Sequence, residues 1–219
     1  MIADFLSSRD FFLSKAEKGF HDFPSEIDNR KWLNGGGILI MGHQGNWEIH
    51  GIAITKLLEE GRELHVLAKR QSNPWMNEYI EKTRGASNIK LIYTDESPRV
   101  VISHLKKGHV VVFISDQDAG KNGIFMDFLG RPASTFTGPA FFSKALPQIP
   151  IYFLWSYYDE KEELITCMEP MPKPESSLSS EDYNVEFTKI WISRLEKRIK
   201  EHPSSYFWVH RRWRTQPKS

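Results

Sequence analysis

The chain has 219 residues, enough for one domain with a sizeable core. Its 29 basic and 28 acidic side chains nearly cancel, which excludes the strongly basic field that draws nucleic acid. One cysteine, Cys167, excludes an intramolecular disulfide and suits a reducing compartment, where it reads as a small buried hydrophobe.

Taken in chain order, Ile2, Phe5, Leu6, Phe12, Leu13, Ala16 and Phe20 recur at helical spacing with Arg9, Lys15 and Lys18 between them. Residues 1–30 are therefore expected to form an amphipathic helical region that packs on the domain or lies on a membrane. No run approaches the roughly 18 apolar residues of a spanning helix, and Asp4, Arg9 and Asp10 break any signal-peptide core. After Gly35-Gly36-Gly37, Ile38 to Met41 reads as a short buried strand. Asn46 caps the helix that carries Ile49, Ile52, Ala53, Leu57 and Leu58. Leu64 to Ala68 is the next strand, and Asn73-Pro74 opens a helix to about Arg84. Ile89 to Tyr93 is a strand; Ser97-Pro98 starts a helix through Lys107, stopped by Gly108. Val110 to Ser115 is the most apolar strand and is expected near the sheet centre. A long glycine-containing loop follows, then a helix from Thr137 to Leu146 and strands near Ile151–Trp155 and Leu164–Met168. A Pro/Ser-rich connection spans Pro170 to Ser180, and a last helix runs from Glu181 to His202 with Phe187, Ile190, Trp191, Leu195 and Ile199 on one face. This alternation predicts a single α/β domain over residues 1–219, with a mostly parallel central sheet flanked by helices.

The polar residues with chemical potential fall after strands, where ligands bind in open α/β sheets. His43 and Glu48 stand five positions apart at a strand-to-helix turn. A neutral imidazole there can take a proton from an alcohol, and a carboxylate can orient the ring and stabilise the imidazolium. A lone histidine is more often structural, and a glutamate in a first helical turn also serves the helix dipole. A metal is not expected at this pair, which lacks the i, i+4 histidines of HExxH, and the chain has no cysteine cluster. His50 points to another helix face and reads as a surface or supporting residue. Lys69 and Arg70 follow the second strand and suit phosphate, because guanidinium binds two oxygens at once. Asp116, Gln117 and Asp118 follow the apolar strand, where carboxylates serve loop hydrogen bonding at least as often as a cation.

Four ordered blocks then carry a resemblance. GHQGNWE (Gly42 to Glu48), AKRQSNP (Ala68 to Pro74), SDQDAGKNGIFMDFLGRPASTFTGPA (Ser115 to Ala140) and WVHRRWR (Trp208 to Arg214) resemble the bacterial lipid A biosynthesis acyltransferases, the lauroyl/myristoyl transferase family related to the glycerolipid acyltransferases. The resemblance implies a glycerolipid-acyltransferase-like fold. It also implies transfer of a fatty acyl chain from acyl carrier protein to a hydroxyl of a glycolipid such as a lipid A precursor, at the cytoplasmic face of the inner membrane, without cofactor. His43 would deprotonate the acceptor, Glu48 would hold the ring, and amides near Asn46 would stabilise the oxyanion. Lys69 and Arg70 would bind phosphate; Asp116, with Gln117 and Asp118, would organise the site. Phe128 and Arg131 would wall an acyl groove and meet an anionic head group. Members of the family begin with a membrane-spanning helix, whereas here the first block comes early, so peripheral attachment is expected. The N-terminus and the cluster Arg211, Arg212 and Arg214 between Trp208 and Trp213 are the candidate devices. Two other readings stay open: a thioester or lipid hydrolase using the same residues, and a non-catalytic lipid-binding module.

Overall fold

The computed structural model describes residues 35–85 and 88–217, and the expected amphipathic region 1–30 lies outside them. Strand β1 (Gly37–Met41) leads into α1 (Trp47–Leu57), β2 (Leu64–Ala68), α2 (Pro74–Gly85), β3 (Ile89–Tyr93), α3 (Pro98–Lys106) and β4 (Val110–Ile114). Then come a short hairpin of β5 (Ile124–Phe128) and β6 (Arg131–Thr135), α4 (Gly138–Ala145), β7 (Ile151–Tyr158), β8 (Leu164–Pro170) and α5 (Ser180–Glu201).

Local chemistry sets the helix starts. Asn46 accepts the Ile49 amide at 3.2 Å, Ser97 accepts that of Arg99 at 3.4 Å ahead of Pro98, and Ser179 accepts that of Asp182 at 3.1 Å. Each satisfies a first-turn amide that has no intrahelical partner. Gly108 ends α3 with φ of 79°, the left-handed conformation that glycine adopts at no steric cost.

The main sheet runs in the order β3-β2-β4-β1-β7-β8, parallel except for β8, which pairs antiparallel with β7. All five residues of β1 are buried, because helices cover both faces. On one face Ile38, Ile40, Val111, Phe113 and Phe153 pack with α3, α4 and α5; on the other Leu39, Met41, Val110, Val112 and Leu64 pack with Ile54 of α1. The helix after β1 and the helix after β4 thus lie on opposite faces. Their strands are neighbours, and a crevice opens between their carboxyl ends.

Three expectations are corrected. The loop after β4 contains the β5–β6 hairpin, whose connection Leu129-Gly130 has φ of 54° and 79°. Two successive positive φ values define the tight turn that suits a twisted hairpin, and leucine in the first position hides it from a residue-type reading. His50 is buried rather than at the surface, since α1 is covered on more than one side, and burial lowers its pKa to about 3. Cys167 is only half-buried, because β8 is an edge strand with one side of its ladder uncovered.

Helix α5 supplies much of the larger core, with Phe187, Trp191 and Leu195 each fully buried. Phe187→Ala should cost about 3–5 kcal/mol of unfolding free energy, measured by urea titration. Lys189→Ala, on the exposed side of the same helix, should stay within about 0.5 kcal/mol.

Candidate active site

Met41 ends β1, and the chain turns through Gly42-His43-Gln44-Gly45 before α1 begins. Adjacent β4 ends beside it, with the Ser115 amide donating to the Met41 carbonyl at 3.2 Å. That register sets Asp116 against His43. Its Oδ1 lies 2.7 Å from His43 Nδ1 and its Oδ2 accepts the His43 backbone amide at 2.9 Å. A carboxylate gripping one residue at two points fixes both the backbone and the ring.

Asp116 is buried, and burial alone would raise its pKa. The charge and hydrogen bonds of His43, together with the Tyr206 hydroxyl, outweigh that and hold the carboxyl below the usual range. It stays ionised. Tyr206 is shifted the other way, upward, by its own burial and then by the Asp116 charge, so its hydroxyl remains a donor. With the Nδ1 proton committed to Asp116, His43 presents Nε2 as the acceptor, and the Gln117 amide lies 3.5 Å from it. The Trp47 ring meets the imidazole edge-on at 4.9 Å, and Phe207 stands 6.1 Å away.

The turn is braced by the segment after α5. Phe207 donates its amide to the His43 carbonyl at 2.9 Å, Gly45 donates to the Ser205 carbonyl at 2.8 Å, and Gln44 bridges Tyr206. From the core side Ser156 donates to the Gln44 carbonyl at 3.1 Å. Gly45 has φ of 62°, and a Cβ there would stand 1.9 Å from Ser156 Oγ. No other residue fits without moving β7.

The other predicted residues divide. Glu48 does not hold the ring: it forms a forked pair with Arg84 of α2, 2.6 Å to Nη2 and 3.2 Å to Nε. From the first turn of α1 its side chain reaches across to α2, and the place beside Nδ1 belongs to Asp116. The Glu48–Arg84 pair borders a narrow apolar cleft lined by Met41, Trp47, Ile54, Val66, Ile89 and Val112. Asn46 caps α1. Lys69 and Arg70 lie exposed on the same carboxyl rim, one strand beyond β4; Arg70 Nε donates to Asp95 at 3.0 Å and its guanidinium stacks 3.7 Å over Tyr93.

Asp118 turns away from His43 and takes bonds from Thr215 at 2.9 Å and Arg214 at 3.2 Å, tying down the C-terminal segment. Phe128 is fully buried against Tyr206 and Trp213, so it packs the interior and walls no groove. Arg131 lies 5.1 Å over the Trp213 ring. The basic terminus is also not one surface patch. Arg212 is buried and donates to the Ser134 carbonyl, to Thr135 Oγ1 at 2.6 Å and to the Gln117 carbonyl at 3.3 Å. Sequence reasoning missed Tyr206, Phe207 and Arg84. The aromatic run just before WVHRRWR was the available signal for the first two, and nothing marks Arg84.

The family described as bacterial lipid A biosynthesis acyltransferase matches residues 25–215. The chain is similar to the lipid A biosynthesis lauroyltransferase of Escherichia coli (strain K12), 31% identical over 120 residues that cover 53% of this chain and 38% of that protein. It is also similar to the lipid A biosynthesis palmitoleoyltransferase of the same organism and to a lipid A biosynthesis acyltransferase of Shigella flexneri, each 26% identical over 154 residues, 68% of this chain and 47% of the relative. The chain thus spans less than half the length of these relatives. With the family matched along most of its residues, the chain belongs to the bacterial lipid A biosynthesis acyltransferases.

Proposed function

We propose that this chain transfers a fatty acyl group from an acyl carrier protein thioester to a hydroxyl of a lipid A-type glycolipid, with His43 as general base. The observation that carries the reading is the 2.7 Å contact between His43 Nδ1 and the buried Asp116 carboxylate. It commits one ring nitrogen and leaves Nε2 to accept the acceptor's proton. The resulting alkoxide attacks the thioester carbonyl, and the imidazolium is stabilised by Asp116. The tetrahedral intermediate collapses by breaking the C–S bond. The thiolate leaves readily because its parent thiol has a pKa of about 8.5, and it takes the proton from the imidazolium, so no covalent enzyme intermediate is needed. The Trp47 and Glu48 amides at the start of α1, which have no intrahelical acceptor and are not the one capped by Asn46, favour the tetrahedral oxyanion. Gln117 donates toward Nε2 until the acceptor hydroxyl replaces it. Glu48 acts through Arg84, keeping a guanidinium at the rim of the cleft that Trp47 lines, where the acyl donor approaches His43.

Mass spectrometry of lipids after incubation with acyl carrier thioesters and lipid A precursors tests the reaction. Thioester consumed equally fast without acceptor would make the protein a hydrolase. His43→Ala and Asp116→Asn should each lower kcat on the order of a hundredfold or more with little change in KM. Glu48→Ala should impair transfer chiefly through KM for the donor. Exchanging the charges, Glu48→Arg with Arg84→Glu, should regain part of that loss. An Asp116→Asn protein with wild-type kcat would return the ring-holding role to Glu48.

The acceptor of such an enzyme is a membrane lipid, yet no helix among the described residues is long and apolar enough to cross a bilayer. The proposed contact is peripheral, through α2. There Trp75, Met76 and Tyr79 are exposed at 79%, 47% and 42%, next to exposed Lys69 and Arg70. Tryptophan favours the interfacial zone, and cations near an anionic surface contribute about 1 kcal/mol each. Co-sedimentation with anionic vesicles should weaken as salt rises, and more in Trp75→Ala and Arg70→Ala than in Arg211→Ala. Equal binding by all three variants would remove α2 as the contact.

A further inference from the structure

The amino end of the sheet, opposite His43, carries a second cluster of titratable side chains. Glu63 immediately precedes β2 and His65 is its second residue; His104 lies in the last turn of α3, and His109 immediately precedes β4. Strands β2 and β4 are parallel neighbours, so their starts lie together, and α3 delivers His104 to the same place. One donor atom from each of the four residues falls within 4.8 Å of all the others.

His65 Nε2 lies 3.0 Å from Glu63 Oε2, and His109 Nε2 lies 3.8 Å from the same oxygen. The ammonium of Lys90 holds the other carboxylate oxygen, which leaves Oε2 facing the imidazoles. The rings of His65 and His104 are 3.7 Å apart between centroids, and each is 5.5 Å from His109. His104 Nδ1 is buried and has no hydrogen-bond partner among the described residues. Burial, the largest cause at each, lowers the pKa of His65 to about 4 and shifts His104 and His109 downward as well. All three therefore offer neutral lone pairs, the form that ligates metal.

We propose that Glu63, His65, His104 and His109 form a binding site for a divalent first-row transition metal, Zn2+ by preference. Three imidazoles and one carboxylate oxygen are nitrogen and oxygen donors of the type zinc takes, in the number its tetrahedral geometry requires. Bonds of about 2.0–2.1 Å place neighbouring tetrahedral donors about 3.3 Å apart. The spacings of 3.0 Å and 3.8 Å around Oε2 bracket that value, and with all four donor atoms within 4.8 Å of one another, side-chain rotations close the shell without moving the strands. The proton His65 now shares with Glu63 at Nε2 moves to Nδ1, which keeps the ring neutral and frees Nε2 for the metal. His109 now accepts the Glu63 amide at Nδ1, 3.2 Å away, so ligation through Nε2 releases that bond and moves the ring proton to Nδ1. Four protein ligands leave no open position, which makes the site structural: a clip joining the starts of β2 and β4 to the end of α3.

The test uses the 219-residue chain carrying no polyhistidine tag, stripped with chelator and titrated with Zn2+ by calorimetry. The expected result is one equivalent bound per chain and a rise in Tm. His104→Gln with His109→Gln should weaken binding beyond the roughly 10- to 100-fold typical of losing an outer-shell partner. Zinc-edge X-ray absorption on the wild-type protein needs no variant to fold. It should show a four-coordinate nitrogen/oxygen shell with imidazole scattering. Substoichiometric binding, undiminished binding by the folded double variant, a sulfur scatterer or a six-coordinate shell would each overturn the proposal.

Discussion

A buried, ionised carboxylate at the end of β4 is the constraint around which the rest of this structure is arranged. Moving the Asp116 charge out of water is costly, and the protein offsets that with donors from both sides: the ring and backbone amide of His43 and the hydroxyl of Tyr206. The two residues that supply them lie far apart in the chain. Parallel pairing of β1 with β4 puts His43 next to Asp116, and the bracing of residues 203–207 against the Gly42 to Gly45 turn brings Tyr206. Loosening any of the three would leave a charge in a dry site with too few partners, so the geometry of the candidate site and local stability are one problem.

The C-terminal segment is the less expected part of this arrangement. A basic-aromatic end suggests a solvated or membrane-facing tail, yet Arg212 is buried and spends its guanidinium on carbonyls and a hydroxyl of the β5–β6 region. Its neighbours do related work, with Arg214 on Asp118, His210 accepting the Asp118 amide at 3.0 Å, and Trp213 against Phe128. The segment straps the hairpin and the loop after β4 onto the His43 turn. Residues far apart in the chain thereby hold one crevice.

The two ends of the parallel sheet carry different chemistry for a topological reason. At the carboxyl ends the chain departs to opposite faces after β1 and β4, opening a crevice that holds a polar pair beside an apolar cleft. At the amino ends the chain arrives by short turns, and donor atoms of Glu63, His65, His104 and His109 lie within 4.8 Å of one another. The first geometry suits a substrate that must come and go; the second suits a fixed ion.

Local sequence determined a good deal here. Apolar runs such as Ile38 to Met41 and Val110 to Ile114 could only be buried strands, and Asn46, Ser97 and Ser179 start helices because their side chains satisfy amides the helix cannot. Four ordered blocks were enough to name the family and to single out His43 and Asp116. Partnership was not legible, because it depends on which strands become neighbours. The i, i+5 spacing suggested that Glu48 holds His43, but spacing along one helix turn says nothing of Arg84 on the next helix or of Asp116 across the sheet. Arg212 reads as exposed and Phe128 as a groove wall for the same reason: their burial is decided by segments that fold over them. The cluster of Glu63, His65, His104 and His109 spans two separated stretches, so only the parallel pairing of β2 with β4 could assemble it.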